Sequence, residues 1–195
     1  DGCLNDTICG LGNIIQMSSS TSNIEFKKCK FIKNPNGRVP TYMFNIGSAN
    51  NITIDSCTFD GDASAQVYVK GSSTNNLCNN NIIRNSTFIN NLNNAIYAEY
   101  SQNLLIEKNT FKNNRTYPAG SIYNVLIQTS KDFKIVRNLF ELNNVSAIIA
   151  SDVLTSLNPS IIANNKISVH NGNTGASTTN VYGINLTSGS NILIA

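Results

Sequence analysis

Tryptophan is absent from this 195-residue chain, histidine occurs once, and charged residues make up only 13% of it. One histidine excludes a two-histidine metal site within the segment. It also leaves any Ser-His-Asp chemistry dependent on His170, and no spacing singles out a serine to join it. The five cysteines form neither a Cys-x-x-Cys pair nor a Cys/His spacing, so no zinc and no other cofactor is expected. Cys3 and Cys9 are close enough in sequence to bridge, Cys78 sits in a polar insert, and the odd count leaves at least one thiol free or paired outside the chain. No apolar run approaches the roughly 18 residues that a membrane span requires. The net charge of +3 is spread thinly. Its one dense patch, Lys27, Lys28, Lys30 and Lys33, reads as a solvated face, and no nucleic-acid partner is expected.

Asparagine fills the gap, with 34 copies. Globular domains carry about 25% charged residues, so Asn, Ser and Thr must supply much of the solvated surface. A polar bias fits disorder, but a hydrophobic content of 41%, set in regular Ile, Phe and Val pairs, argues against it. The regularity is a repeat. Asn23 to Phe31 aligns with Asn51 to Phe59, Asn80 to Phe88, Asn103 to Phe111, Asp132 to Phe140 and, more loosely, Pro159 to Ile167; another copy opens at Asn191. Counting the first residue as zero, apolar side chains fall mainly at offsets one, three and eight, an alternation of period two that means strand. Offset six holds Cys29, Cys57, Ser86, Asn109, Asn138 and Asn165, small or amide-bearing throughout. A second apolar pair precedes the copies, as Phe44 and Ile46, Val67 and Val69, Ile96 and Ala98, Val125 and Ile127, and Ile184 and Leu186.

Each unit therefore holds three short strands, and the closing Phe or Ile recurs every 23 to 29 residues. That period suits one turn of a three-sided solenoid, where a propeller blade needs about 40 residues. Strands so short cannot bury their apolar sides alone. Stacked at about 4.8 Å per coil they enclose a continuous core. The expectation is an all-β, three-sided parallel β-helix of about seven coils over residues 12–195, with 1–11 leading into it. Phe31, Phe59, Phe88, Phe111 and Phe140 are expected to stack inside. Three residues beyond them, Asn34, Asn91, Asn114 and Asn143 are expected to form a structural ladder, because asparagine tolerates left-handed corners and stacked amides satisfy buried polar groups.

The pattern running from Asn103-Leu104-Leu105-Ile106 through Asn109-Thr110-Phe111 to Asn114 resembles the right-handed parallel β-helix repeat of the pectin-lyase-like superfamily, and the resemblance covers about 12–195. It implies a right-handed coil and says little of function, since pectate lyases, polygalacturonases, phage tailspikes and bacterial adhesins share it. The Phe-x-x-Asn units also resemble repeats of chlamydial-type surface adhesins, without their Gly-Gly-Ala companion. Resemblance to the lyases and hydrolases implies a cluster of aspartates with a basic partner. The best pair here is Asp60 and Asp62 at a corner, weak candidates for a catalytic or calcium-binding centre that read first as a hydrated Asp-Gly turn. No third acid stands at that offset in neighbouring coils. No metal site is expected.

Other residues invite a use. Cys29 and Cys57 share an inward offset and read as small buried apolar groups, with a disulfide between coils left open. Outward Thr58, Thr87 and Thr110 read as cross-strand pairs. Tyr97, Tyr100, Tyr117 and Tyr123 surround two coils and offer surfaces on which sugars stack. Among the Asn-x-Ser/Thr sequons, outward Asn51, Asn85, Asn144 and Asn185 are candidate glycosylation sites, whereas a ladder position should spare Asn114. The chain starts at Asp1 and stops in mid-strand at Ala195, as a segment of a longer protein would. The expected role is an extracellular or cell-surface structural or adhesive segment, part of a fibre, without catalytic activity of its own. Its expected partners are itself, by end-to-end or lateral assembly, or glycans. A polysaccharide lyase or glycoside hydrolase, or a viral tailspike segment, is the alternative.

Overall fold

Polar corners interrupt the apolar pairs at short intervals, and the strands are correspondingly short, two to six residues each. The computed structural model describes residues 12–33, 39–91, 93–115, 123–143, 145–170 and 181–195. Among them lie three large sheets in which every pairing is parallel. The first sheet stacks Ile15–Gln16, Tyr42–Gly47, Ala65–Lys70, Asn94–Glu99, Tyr123–Gln128, Ser146–Ser151 and Ile184–Leu186. The second stacks Ser22–Lys27, Asn50–Asp55, Ile82–Arg84, Leu105–Glu107, Lys134–Val136, Ser160–Ala163 and Ile192–Ile194. The third stacks Lys30–Ile32, Thr58–Asp60, Thr87–Ile89, Thr110–Arg115, Leu139–Asn143 and Lys166–His170. The chain visits the three in that order once per coil, which makes a three-sided right-handed β-helix of seven coils. Cys78–Asn79 and Ser101–Gln102 add a small sheet at the corner between the first and second faces.

Inward positions enclose one column. Phe31, Phe59, Phe88, Phe111 and Phe140 lie ring over ring, with centroids 5.0, 5.0, 5.0 and 4.6 Å apart and planes within 14°. That spacing follows the strand repeat, so each ring fills its own coil and touches the next. Burial of this kind stabilises by about 1.5–3 kcal/mol per large apolar side chain.

Left-handed residues recur at the corners, and two sets of them are nearly complete. Asn23, Asn51, Asn80, Asn103, Asp132 and Asn191 open the second-sheet strands at φ 55–59°. Lys28, Ser56, Asn85, Lys108, Arg137 and Asn164 separate the second sheet from the third at φ 51–59°. Asparagine eases the first set. The second set accepts Lys, Ser and Arg, so there the stacked neighbours impose the bend.

The corner after each of those residues carries the main ladder of the molecule. Ser86 N–H donates to Asn109 Oδ1, Asn109 N–H to Asn138 Oδ1 and Asn138 N–H to Asn165 Oδ1, at 2.9, 2.9 and 3.0 Å. Below them Cys57 N–H donates to Ser86 Oγ at 3.1 Å. The ladder expected at the Phe-x-x-Asn offset is shorter than its sequence spacing implies. Asn91 N–H donates to Asn114 Oδ1 at 2.9 Å, and the Asn114 amide continues to Phe88 O and Asn124 Oδ1. Above Asn114 the register shifts, so that Arg115 and not Asn114 pairs with Asn143. One extra residue in the Thr110–Arg115 strand breaks the column. Asn34 lies outside the described residues.

Candidate functional site

Coil geometry directs attention to one face. The corner between the second and third sheets is two residues long in all six coils that show both strands. The connections from the third sheet to the next first-sheet strand are unequal, at 33–41, 61–64, 90–93, 116–122, 144–145 and 171–183. Variable loops on a rigid frame are where binding surfaces are built, and these border the first sheet.

On the outer side of that sheet, Tyr68, Tyr97, Leu126 and Ile149 share one register row. The Tyr42 ring stacks on Tyr68 at 4.2 Å and Tyr68 meets Tyr97 at 5.0 Å. A polar row runs beside the rings. Lys70 Nζ lies 3.1 Å from Glu99 Oε2, the Tyr68 hydroxyl donates to the same oxygen at 3.3 Å, and the Tyr97 hydroxyl donates to Gln128 Oε1 at 3.0 Å. Burial pushes both phenols up, because it disfavours the phenolate. The hydrogen bond to Glu99 likewise holds the Lys70 ammonium in its charged form. At neutral pH this face carries an aromatic column whose middle ring, Tyr68, is buried between its neighbours and edged by fixed donors and acceptors. Of the four tyrosines grouped by sequence, Tyr97 joins this column and Tyr100 turns a left-handed corner. Tyr123 starts a strand, and Tyr117 lies outside the described residues. Tyr42 and Tyr68 were missed because the column crosses coils: the register sets Tyr68 beside Tyr97, while Tyr42 pairs with Ala65 and meets Tyr68 only through its ring.

Asp60 and Asp62 are each held by the following coil. Asn90 Nδ2 donates to Asp60 Oδ1 at 2.7 Å and Asn93 Nδ2 to Asp62 Oδ1 at 3.4 Å. Among the described residues no three His, Cys, Asp or Glu gather as a metal-binding group. A more firmly held acid is Asp55, at the end of the Asn50–Asp55 strand. It is buried and accepts from Asn85 Nδ2 and Ser56 Oγ at 2.9 Å and from Arg84 Nε at 3.0 Å. The Asn85 hydrogen bond, with Ser56 and Arg84, holds its carboxyl below the ordinary range against the cost of burial.

Cys29, Cys57 and Cys78 are free thiols. Burial raises the Cys57 thiol to about 11 and the Cys78 thiol to about 12, so neither is an activated nucleophile. His170 is exposed at a strand end beside Ser168 Oγ, 3.3 Å away. Of the sequons, Asn51 and Asn85 are exposed at left-handed corners and Asn185 is half-buried. Asn114 is fully buried, and Asn144 lies outside the described residues. No helix among the described residues is long and apolar enough to cross a membrane.

No curated protein and no solved structure gave a match. A family model described as the right-handed beta helix region matches residues 13–195, in keeping with the three parallel sheets, and the chain belongs to that family.

Proposed function

We propose that the chain is a segment of an extracellular structural or adhesive solenoid, without catalytic activity of its own, whose partners are glycans or further copies of itself. The observation that carries this reading is where the polar side chains go. Asn109, Asn138 and Asn165 tie coil to coil inside, and Asp55, Asp60 and Asp62 are tied to the next coil outside. Groups that would otherwise perform chemistry hold the column together. The tyrosine column of the first sheet is the surface best suited to adhesive contact.

Electron microscopy of the intact protein is expected to show elongated rods, and compact particles would overturn the reading. A screen on acidic and neutral polysaccharides is expected to show no turnover. Turnover that disappears in Asp60→Ala or Asp62→Ala would replace this reading with a lyase or hydrolase.

A further inference from the structure

Sulfur occupies the main ladder in two successive coils and in no other. Cys29 and Cys57 hold the corner between the second and third sheets, where later coils place Ser86, Asn109, Asn138 and Asn165. The strands on either side are in register, Lys27 with Asp55 and Lys30 with Thr58, and Thr58 N–H donates to Cys29 O at 2.9 Å. The two cysteines therefore stand one directly over the other, about 4.8 Å apart at the coil spacing. A disulfide needs Cα atoms about 4.4–6.8 Å apart. Their side chains converge as well. Cys57 Sγ leans into the coil before, to Phe26 O at 3.4 Å, and it meets the N–H and thiol of Cys29. Cys78 has no such neighbour, since its register partner is Ser101.

We propose that Cys29 and Cys57 are a cross-linking site, joined by a disulfide that fastens the first coil to the second. The oxidant is a small disulfide of the glutathione class, and the reaction is thiol–disulfide exchange. The Cys29 sulfur attacks one sulfur of the oxidant, whose S–S bond breaks, and the departing sulfur leaves as a thiol with the Cys29 proton. The Cys57 sulfur then attacks the Cys29 sulfur, and the second oxidant thiol leaves with the Cys57 proton. Two protein thiols are oxidised, and one disulfide is reduced to two thiols. Access fixes that order. Cys29 is half-buried and flanked by exposed Lys27, Lys28 and Lys30, which draw in an anionic disulfide. Cys57 is 1% exposed and burial holds its thiol at about 11, so it closes the bond and does not open the exchange. Later rungs tie coil to coil with amide hydrogen bonds. At this rung a covalent bond takes that role, and it also restricts the unfolded chain by closing the loop from Cys29 to Cys57. The cross-link stands independently of the adhesive reading.

The test equilibrates the folded full chain in buffers of reduced and oxidised glutathione. Remaining thiols are then alkylated, and the chain is digested without reduction for mass spectrometry. A peptide pair linked through Cys29 and Cys57 is expected, absent from Cys29→Ser and Cys57→Ser and retained in Cys78→Ser. The oxidised chain should unfold about 5–10 °C above the reduced one. That gap should vanish in Cys29→Ser, which in reductant should fold as the original chain does. Hydrogen exchange should slow on oxidation around residues 22–32 and 50–60 and stay unchanged around 134–170. Cys29 carrying only glutathione, or linked instead to Cys3 or Cys9, would overturn the proposal. So would a Cys29–Cys57 bond that leaves both Tm and exchange where they were, because it would fasten nothing.

Discussion

The first coils and the middle coils satisfy the same backbone column by different chemistry. In the middle each rung is an amide that works twice. Asn109, Asn138 and Asn165 accept an N–H from the coil before with Oδ1, and with Nδ2 donate to its carbonyls at Ile83, Ile106 and Ile135, at 2.9, 3.0 and 2.8 Å. In the first coils the rungs are Cys29 and Cys57. Across coils the Cys57 thiol reaches Phe26 O, at 3.4 Å, and the N–H and thiol of Cys29, and sulfur is a weak partner in both roles. Rings make up the difference. Phe44 stands where later coils have Val67, Ile96, Val125 and Ile148. It meets Phe26, Phe31 and Phe59 edge to face at 4.7, 5.5 and 6.3 Å. One end is held by shape, the middle by hydrogen bonds.

The largest effect that tests this contrast is on the shared element, the ring stack. Phe111→Ala, fully buried between Phe88 and Phe140, is expected to cost about 3–5 kcal/mol in urea unfolding. Phe31→Ala at the half-buried end should cost clearly less. Equal losses would mean that the stack does not distinguish end from middle. Next comes the amide rung. Asn138→Ala strands Asn109 N–H and Ile106 C=O inside the column. A loss of about 2–3 kcal/mol is expected, and a loss below the Cys57→Ala value would reverse the comparison. Smaller and opposite in sign is Cys57→Asn, which replaces the weak thiol donor to Phe26 O with an amide N–H. It is expected to add about 1 kcal/mol, and destabilisation would show that the first coils are fitted to sulfur.

Much of this is legible in the sequence, and the reason is the period. Phe31, Phe59, Phe88, Phe111 and Phe140 recur at one offset, and stacked coils convert an equal offset into vertical contact. Offset six is equally visible, but its mixture of Cys, Ser and Asn conceals the role those side chains share, which is to accept a backbone N–H from the coil before. Asn114 and Asn143 show the opposite failure, since both lie three residues after a phenylalanine while one extra residue moves the register between them. The Tyr42–Tyr68 contact depends on which residues become neighbours across unequal loops. Local pattern does not carry that information.

The smallest predicted effect asks whether the first coils regain on the outside the polar fastening they lack within. Asp55 joins the second coil to the third through Asn85 and Arg84, and these bonds hold its folded pKa below the ordinary value. A carboxylate depressed in the folded state adds stability above its unfolded pKa of about 3.9, and that contribution is lost as pH falls through the lower folded value. Asp55→Asn should therefore lower Tm at neutral pH and flatten the decline in Tm below about pH 4. Since Arg84 remains 40% exposed, screening limits the effect. Raising the salt should narrow the gap between the two proteins at neutral pH. A variant whose acid-side slope matches that of the original protein would mean that Asp55 does not fasten these coils, and that the phenylalanine cluster around Phe44 holds them alone.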